Sequence, residues 1–439
     1  MADYTGDFEL ITLDLATATG TYNIRFAIQE INVYEDIWNN QITCDILMND
    51  AKNQILHLPI FGFETLMLQF RTADKGIWSK KFRLVRITER RLIRDREMGY
   101  ILHFVTPEAH HNFKLPKVSK SYKSKLISDI VSDIHTGWLA GGPIDIETTK
   151  YLHHIIIPNL HPCNAINWLA TRANSAKYKG ANYLYYQDKD LFRFVSMESR
   201  LALGPSQTYL FQVGNVRKDA PPGAHHDQDL PPNMVSAPVY NFDHFSDILE
   251  NLSAGMYGNE LLTHSQTRKL WQRYIFDYPS TYPDYQHLYP EPNKLYPMVP
   301  WPLTDTKVTP IYKPELPTDT YLCPSRYPKL KLHGTGYDKD NFPFLPEKWI
   351  PIRISQLQQL QNLKITMTIP GDSDRTVGQV VEFNLPSPEP PLNDQQVDDF
   401  FYRGKYLIQS IRHVIDMDKY ITVMTMIKDS VFQPYPLTG

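Results

Sequence analysis

Four short runs of β-type sequence between Asn40 and Thr106 return, in the same order, between Asn362 and Asp429. NQITCDILMND (40–50) is answered by NLKITMTIPGD (362–372), and ETLMLQF (64–70) by TVGQVVEF (376–383). KFRLVRI (81–87) is answered by KYLIQSI (405–411), and GYILHFVTPE (99–108) by KYITVMTMIKD (419–429). The connections between these runs differ freely, as loops do while strands keep their pattern. AKNQILHL stands only in the first copy and LPSPEPPLNDQQVDDF only in the second. A repeat of two, set far apart, means a duplicated β domain.

The phase of each run adds detail. In KFRLVRI the apolar positions are Phe82 and Leu84, then slip to Ile87; in KYLIQSI they are Tyr406 and Ile408, then slip to Ile411. A slip of phase marks a β-bulge, and it falls at the same step in both copies. The next run carries apolar residues on both faces, Tyr100, Leu102 and Phe104 against Ile101 and Val105, as in a barrel or sandwich wall with a covered outer side. Upstream, FELITLDL and YNIRFAIQEINVYEDIW also read as strands, and the longest helix among them is 51–58. TYLFQVGNV (208–216) and DILENLSAGMYGNEL (247–261) are expected to supply the two strands that copy two lacks, making the second barrel discontinuous.

From about Leu115 the texture becomes helical. YKSKLISDIVSDIHT sets Leu126, Ile127, Ile130, Val131 and Ile134 on one stripe, and a second helix starts at Pro162 and buries Ile166, Trp168, Leu169, Ala170 and Ala173. A hairpin follows, NYLYYQ and LFRFVSM, turned at Asp188-Lys189-Asp190. Fourteen of the 34 prolines lie between Pro279 and Pro346, interleaved with tyrosines. That spacing predicts no regular element there, and the aromatic content favours an arm laid on a neighbouring surface over a free linker.

The chain of 439 residues has room for two to four domains. No run approaches the ~18 apolar residues of a membrane span, and MADYTGDFELITLDL lacks the features of a signal peptide, so a cytosolic site of synthesis is expected. Cys44, Cys163 and Cys323 are odd in number and far apart, so no disulfide or metal framework is expected. The net charge is −3, yet residues 75–125 hold 14 Lys and Arg against 4 Asp and Glu. Within that stretch Arg86, Arg90, Arg91, Arg94 and Arg96 crowd the hairpin between two repeat strands. Such a cluster suits a partner interface, a nucleic-acid contact or a solvated loop.

No motif points to catalysis, a cofactor or a metal. Gly371-Asp372-Ser373-Asp374-Arg375 ends in Arg where a nucleophile elbow needs Gly, and reads as a turn. Asp372, Asp374 and Glu382 lack the fifth ligand position and the sixth-position glycine of a calcium loop. The pairs His110-His111 and His153-His154 point to opposite faces of their elements; His225-His226-Asp227 reads as a loop. Gly334-Thr335-Gly336 neither follows a strand nor opens a helix, so it is no phosphate cradle.

Taken in order, INVYEDIWNNQITCDILMND with LPIFGFETLMLQFRT, IIIPNLHPCNAINWLATRANSAKYKGANYLYYQDKDLFRFVSMES, SAGMYGNELLTHSQTRKLWQRYIFDY, RISQLQQLQNLKITMTIPGDSDRTVGQVVEFNLP and RGKYLIQSIRH cover most of the chain. In that succession the sequence resembles the central baseplate hub proteins of contractile-tailed, T-even-type bacteriophages. It is more distantly similar to the N-terminal part of type VI secretion spike proteins. The resemblance implies a predominantly β, α+β chain: two similar tube-type antiparallel β-barrel domains, an inserted α+β domain and a Pro/Tyr-rich arm. The expected division is 1–114 for barrel one, 115–205 for the α+β domain, 206–261 and 349–431 for barrel two, 262–348 for an extension and arm, and 432–439 for a tail.

The resemblance further implies a non-enzymatic structural hub in the virion tail, assembled in the bacterial host cytoplasm. It would be a homotrimer whose six barrels form a pseudo-sixfold ring, adapting a trimeric spike protein to the tail tube or tube-initiator proteins. Baseplate wedge proteins are further expected partners, with DNA passing through the lumen without specific binding and no membrane insertion. The candidate interface or lumen residues are the five arginines above with Arg412, His413, Asp416 and Lys419 on the corresponding hairpin of copy two. The chain ends soon after its last barrel strand, which favours the phage arrangement over a fused secretion spike. The hub of a phage-derived bacteriocin or injection machine shares every feature; a cell-wall hydrolase is the alternative of another class. The inner wall is expected to draw on the duplicated hairpin strands.

Overall fold

The computed structural model describes residues 7–51, 60–72, 75–94, 97–211, 236–237, 239–245, 247–265, 269–290, 319–324, 346–387, 399 and 401–432. The proposed helix 51–58 beyond Ala51, the His225-His226-Asp227 loop, Arg96, Gly334-Thr335-Gly336, most of the proline-rich arm and the tail beyond Phe432 lie outside them.

Twelve strands build the two repeats. The first copy uses β1 (Phe8–Thr17), β2 (Ile28–Asp36), β3 (Thr43–Asp50), β4 (Thr65–Thr72), β5 (Trp78–Arg94) and β6 (Glu97–Val105). The second uses β7 (Pro205–Phe211), β8 (Val239–Phe245), β9 (Leu363–Pro370), β10 (Val380–Asn384), β11 (Gly404–Asp416) and β12 (Tyr420–Ile427). Hydrogen bonds set copy one in the order β2-β3-β6-β5-β4-β1 and copy two in the order β8-β9-β12-β11-β10-β7. Adding six to each label of the first order gives the second, so the duplication read from sequence is a duplication of topology.

Alternation supplies the cores. Cys44, Ile46 and Met48 of β3 and Ile365, Met367 and Ile369 of β9 all point inward and are buried, as the period of two dictates. This burial moves the match between the copies by one residue: Ile42 stands with Leu363, where the letters alone aligned it with Lys364. A slip of one in a strand turns every side chain to the wrong face, so the core decides the frame. Burying a side chain such as Phe82, Leu84, Tyr406 or Ile408 contributes roughly 1.5–3 kcal/mol. The bulges fall where the phase slipped, between Leu84 and Arg86 against β6 and between Ile408 and Ser410 against β12.

The copies differ at their first strands. β1 runs antiparallel to β4, whereas β7 runs parallel to β10 because the chain enters it from the α+β unit. Ser236–Ala237, just ahead of β8, pairs with Leu210–Phe211 of β7 and closes the second barrel. The strand expected at 247–261 is not there. Asp247 caps a short helix, Ile248–Ser253, by accepting from Glu250 N, and Gly258–Ser265 joins a separate sheet. The alternating VYNFDHF of β8, with Tyr240 and Phe242 turned inward, takes that place in the barrel.

Between the barrels, the helices Ile127–Gly137 and Pro162–Ala170 pack on the hairpin Tyr183–Gln187 and Phe192–Ser196. YKSKL, read as the first turn of a helix, is instead the strand Ser121–Leu126 paired with Leu152–Ile156. Its exposed lysines alternate with Tyr122, a period that suits a strand. The arm also holds regular structure. Asp319–Pro324 pairs in parallel with Gly258–Ser265, which pairs with Leu270–Asp277. The window Asp319–Cys323 is free of proline between Pro317 and Pro324, which is enough for a short edge strand. Among the described residues no helix is long and apolar enough to cross a membrane.

Candidate assembly joint

Among the described residues, one ladder stitches the two barrels into one sheet. β2 of the first pairs antiparallel with β11 of the second, from Asp36 opposite Ser410 to Glu30 opposite Asp416. On its outer side Arg412 donates to Asn32 Oδ1 at 2.8 Å and reaches Glu30 at 3.4 Å. Its guanidinium also stands 5.8 Å from the centre of the Tyr34 ring.

The inner side is polar and buried. Glu35 is fully buried and accepts from Trp78 Nε1 at 3.1 Å, from the Thr376 hydroxyl and from Val377 N at 3.3 Å. Burial pushes its carboxyl up to about 7, although these donors pull the other way. His413, also fully buried, lies 3.9 Å from Glu35. Burial and the nearby charge of Lys189 press its ring down to about 3, so the ring is neutral and the contact is no ion pair. Tyr420, whose hydroxyl burial raises well above its ordinary value, shares a hydrogen bond of 2.7 Å with His413 Nδ1. The other ring nitrogen, Nε2, is the atom turned toward Glu35.

The turn Gly371–Gly378 locks this seam from above. Ser373 Oγ donates to Gly76 O at 2.8 Å and accepts from Thr72 N at 3.1 Å. Asp374 accepts from Gly76 N at 3.0 Å and meets Lys189 Nζ at 3.3 Å. Arg375 pairs with Asp372 and donates to Ser206 at 2.7 Å, while Thr376 accepts from Lys189 N at 3.0 Å. One turn therefore ties both barrels to the Asp188–Asp190 hairpin. Asp372, Ser373, Asp374 and Arg375 all bond within this lock, with Ser373 buried, while Glu382 on β10 faces Thr208. Among the described residues no group of three His, Cys, Asp or Glu could hold a metal ion.

The sequence-derived candidates divide. Arg86, Arg90 and Arg91 are exposed along β5; Arg94 ends that strand. Arg412 sits half-open at the ladder, and Lys419 is exposed at the β11–β12 turn, where its carbonyl accepts from Asp416 N at 2.9 Å. His413 is in the core of the joint, so its contact is barrel to barrel within one chain. Sequence reasoning missed Glu35, Thr376, Ser373 and Trp78 as joint residues. Only Glu35, an acid at an inward phase of an apolar strand, left any signal.

No protein-family model matches the chain, and no curated protein matches it in sequence. Among solved structures, the tail protein from Neisseria meningitidis MC58 is 10% identical, with a TM-score of 0.51 over 96% of this chain and 98% of that one. The 43 kDa tail protein of prophage MuSo2 from Shewanella oneidensis is 9% identical, with a TM-score of 0.52 over the same shares, 96% and 98%. A type VI secretion component from E. coli is 8% identical, with a TM-score of 0.43 over 98% of this chain and 79% of that one. By the first two likenesses, this chain has, along nearly its whole length, the β-rich α+β fold of these tail proteins.

Proposed function

We propose that this chain is the structural hub of a phage tail baseplate. Three copies form a ring of six barrels, threefold toward a trimeric spike protein and pseudo-sixfold toward the tail tube or its initiator proteins. The observation that carries the reading is the single strand order that occurs twice in one sheet, on either side of the β2–β11 ladder. Two like barrels fixed rigidly in one chain are what a threefold assembly needs to present six equivalent positions. In this reading the hairpins β5–β6 and β11–β12 line the passage for DNA, which they do not bind specifically, and wedge proteins meet the outer side. The role is mechanical, and the polar residues of the joint act as a lock rather than as reagents.

Light scattering on the full chain, alone and with its spike, tests this. The expected mass is that of three chains of 51.0 kDa, with spike bound. A chain that stays at 51.0 kDa and joins neither spike nor tube overturns it.

A further inference from the structure

In each barrel, the two strands that make the in-chain ladder have equivalents in the other copy. The equivalent of β2 is β8, and the equivalent of β11 is β5. Both are open edges among the described residues: β8 pairs only with β9, and β5 beyond Leu84 pairs only with β6. Long open edges are rare in isolated proteins because they invite pairing with another chain. Here the edge of β5 also exposes apolar side chains, Leu92 at 64% and Val85 and Ile93 half-open. On β8, Val239 and Asp243 are exposed, and Asp243 brings a carboxylate opposite a strand that carries Arg86, Arg90 and Arg91.

We infer that β5 of one copy pairs antiparallel with β8 of the next copy, repeating between chains the ladder that β2 and β11 make within one. The inference rests on the hub reading for its closure into a ring of three. The strand equivalences fix the register. Ile415 stands opposite Ile31 in the chain, and its counterpart Leu92 then stands opposite Tyr240 of the neighbouring copy. Val414 opposite Asn32 becomes Arg91 opposite Asn241. The same operation moves the turn Gly371–Gly378, which seats on barrel one, to the loop ending at Glu64. That loop holds Phe61 and Phe63, 79% and 67% exposed, large rings set where the in-chain joint has its lock. The contact is head to tail, so each copy gives one edge and receives the other.

Cysteines at Arg91 and Asn241, both exposed, test the register in a Cys323→Ser background, Cys44 and Cys163 being buried. Facing residues of an antiparallel pair have Cα atoms about 4.5–5.5 Å apart, within the span of a disulfide. Mild oxidation of the R91C/N241C chain is expected to give a non-reducing ladder of linked dimer and trimer that stops at trimer. Neither R91C nor N241C alone is expected to give it. A wild-type chain of trimeric mass with no cross-link in the double variant overturns the β5–β8 contact and leaves the hub reading standing. A ladder that runs past trimer overturns closure of the ring by this contact. A wild-type chain that stays monomeric, with no cross-link, overturns the hub reading itself.

Discussion

At Glu35 a carboxyl is buried between two barrels, and its hydrogen bonds come from a tryptophan, a threonine and one backbone amide. Its folded value of about 7 lies above the ordinary 4.5, so the native state holds a proton that the unfolded chain releases. Stability from this group is full below pH 4.5 and is lost as pH rises to about 7. His413 works the other way: its folded value of about 3 lies below 6.5, so its contribution is present above pH 6.5 and is lost as pH falls toward 3. The two slopes oppose each other across the weakly acidic range. Glu35→Gln keeps the shape and removes one slope. Its melting temperature should match the wild type near pH 4.5 and exceed it by pH 7, where the difference corresponds to roughly 3 kcal/mol at most. A thermal melt series in which the variant loses to the wild type at pH 7 contradicts the burial of a proton at Glu35. Their meeting was not legible in sequence, because it depends on two strands from opposite ends of the chain.

Among the elements, the strands of the repeat were the most legible, since period-two burial survives where identities do not. The shared bulge was readable too, because Leu84 to Ile87 and Ile408 to Ile411 break phase at one step. The frame between β3 and β9 was not, because similar letters at Asn40 and Asn362 outweighed the core phase that only burial reveals. β8 was missed in favour of 247–261, where Asp247 starts a helix and Gly255, at φ +70°, ends it. The turn that locks the joint makes its own prediction. Gly378 has φ +77°, and a Cβ there would clash with the Tyr186 hydroxyl. Gly378→Ala should cost about 2 kcal/mol or more, from left-handed strain plus the clash. Chemical denaturation checks it; an unchanged midpoint would mean that the turn is not rigidly seated. A paired Tyr186→Phe change, which removes the clashing oxygen, should recover part of the loss.

For the whole molecule, the sequence carried the class of fold, two similar barrels flanking an α+β unit, since local patterns sum to architecture. It carried the candidate site less well. The arginines of β5 stood out as charge, but what makes their strand informative is an open edge, and edges belong to topology. The same holds for Phe61 and Phe63, ordinary apolar letters until they are found in water. Electron cryomicroscopy of the assembled chain reads this arrangement directly. A closed ring of three copies is expected, six barrels at one radius, with alternate joints made by β2–β11 and β5–β8. Barrels at two different radii, or β5 and β8 edges left open to solvent in the assembly, would contradict it.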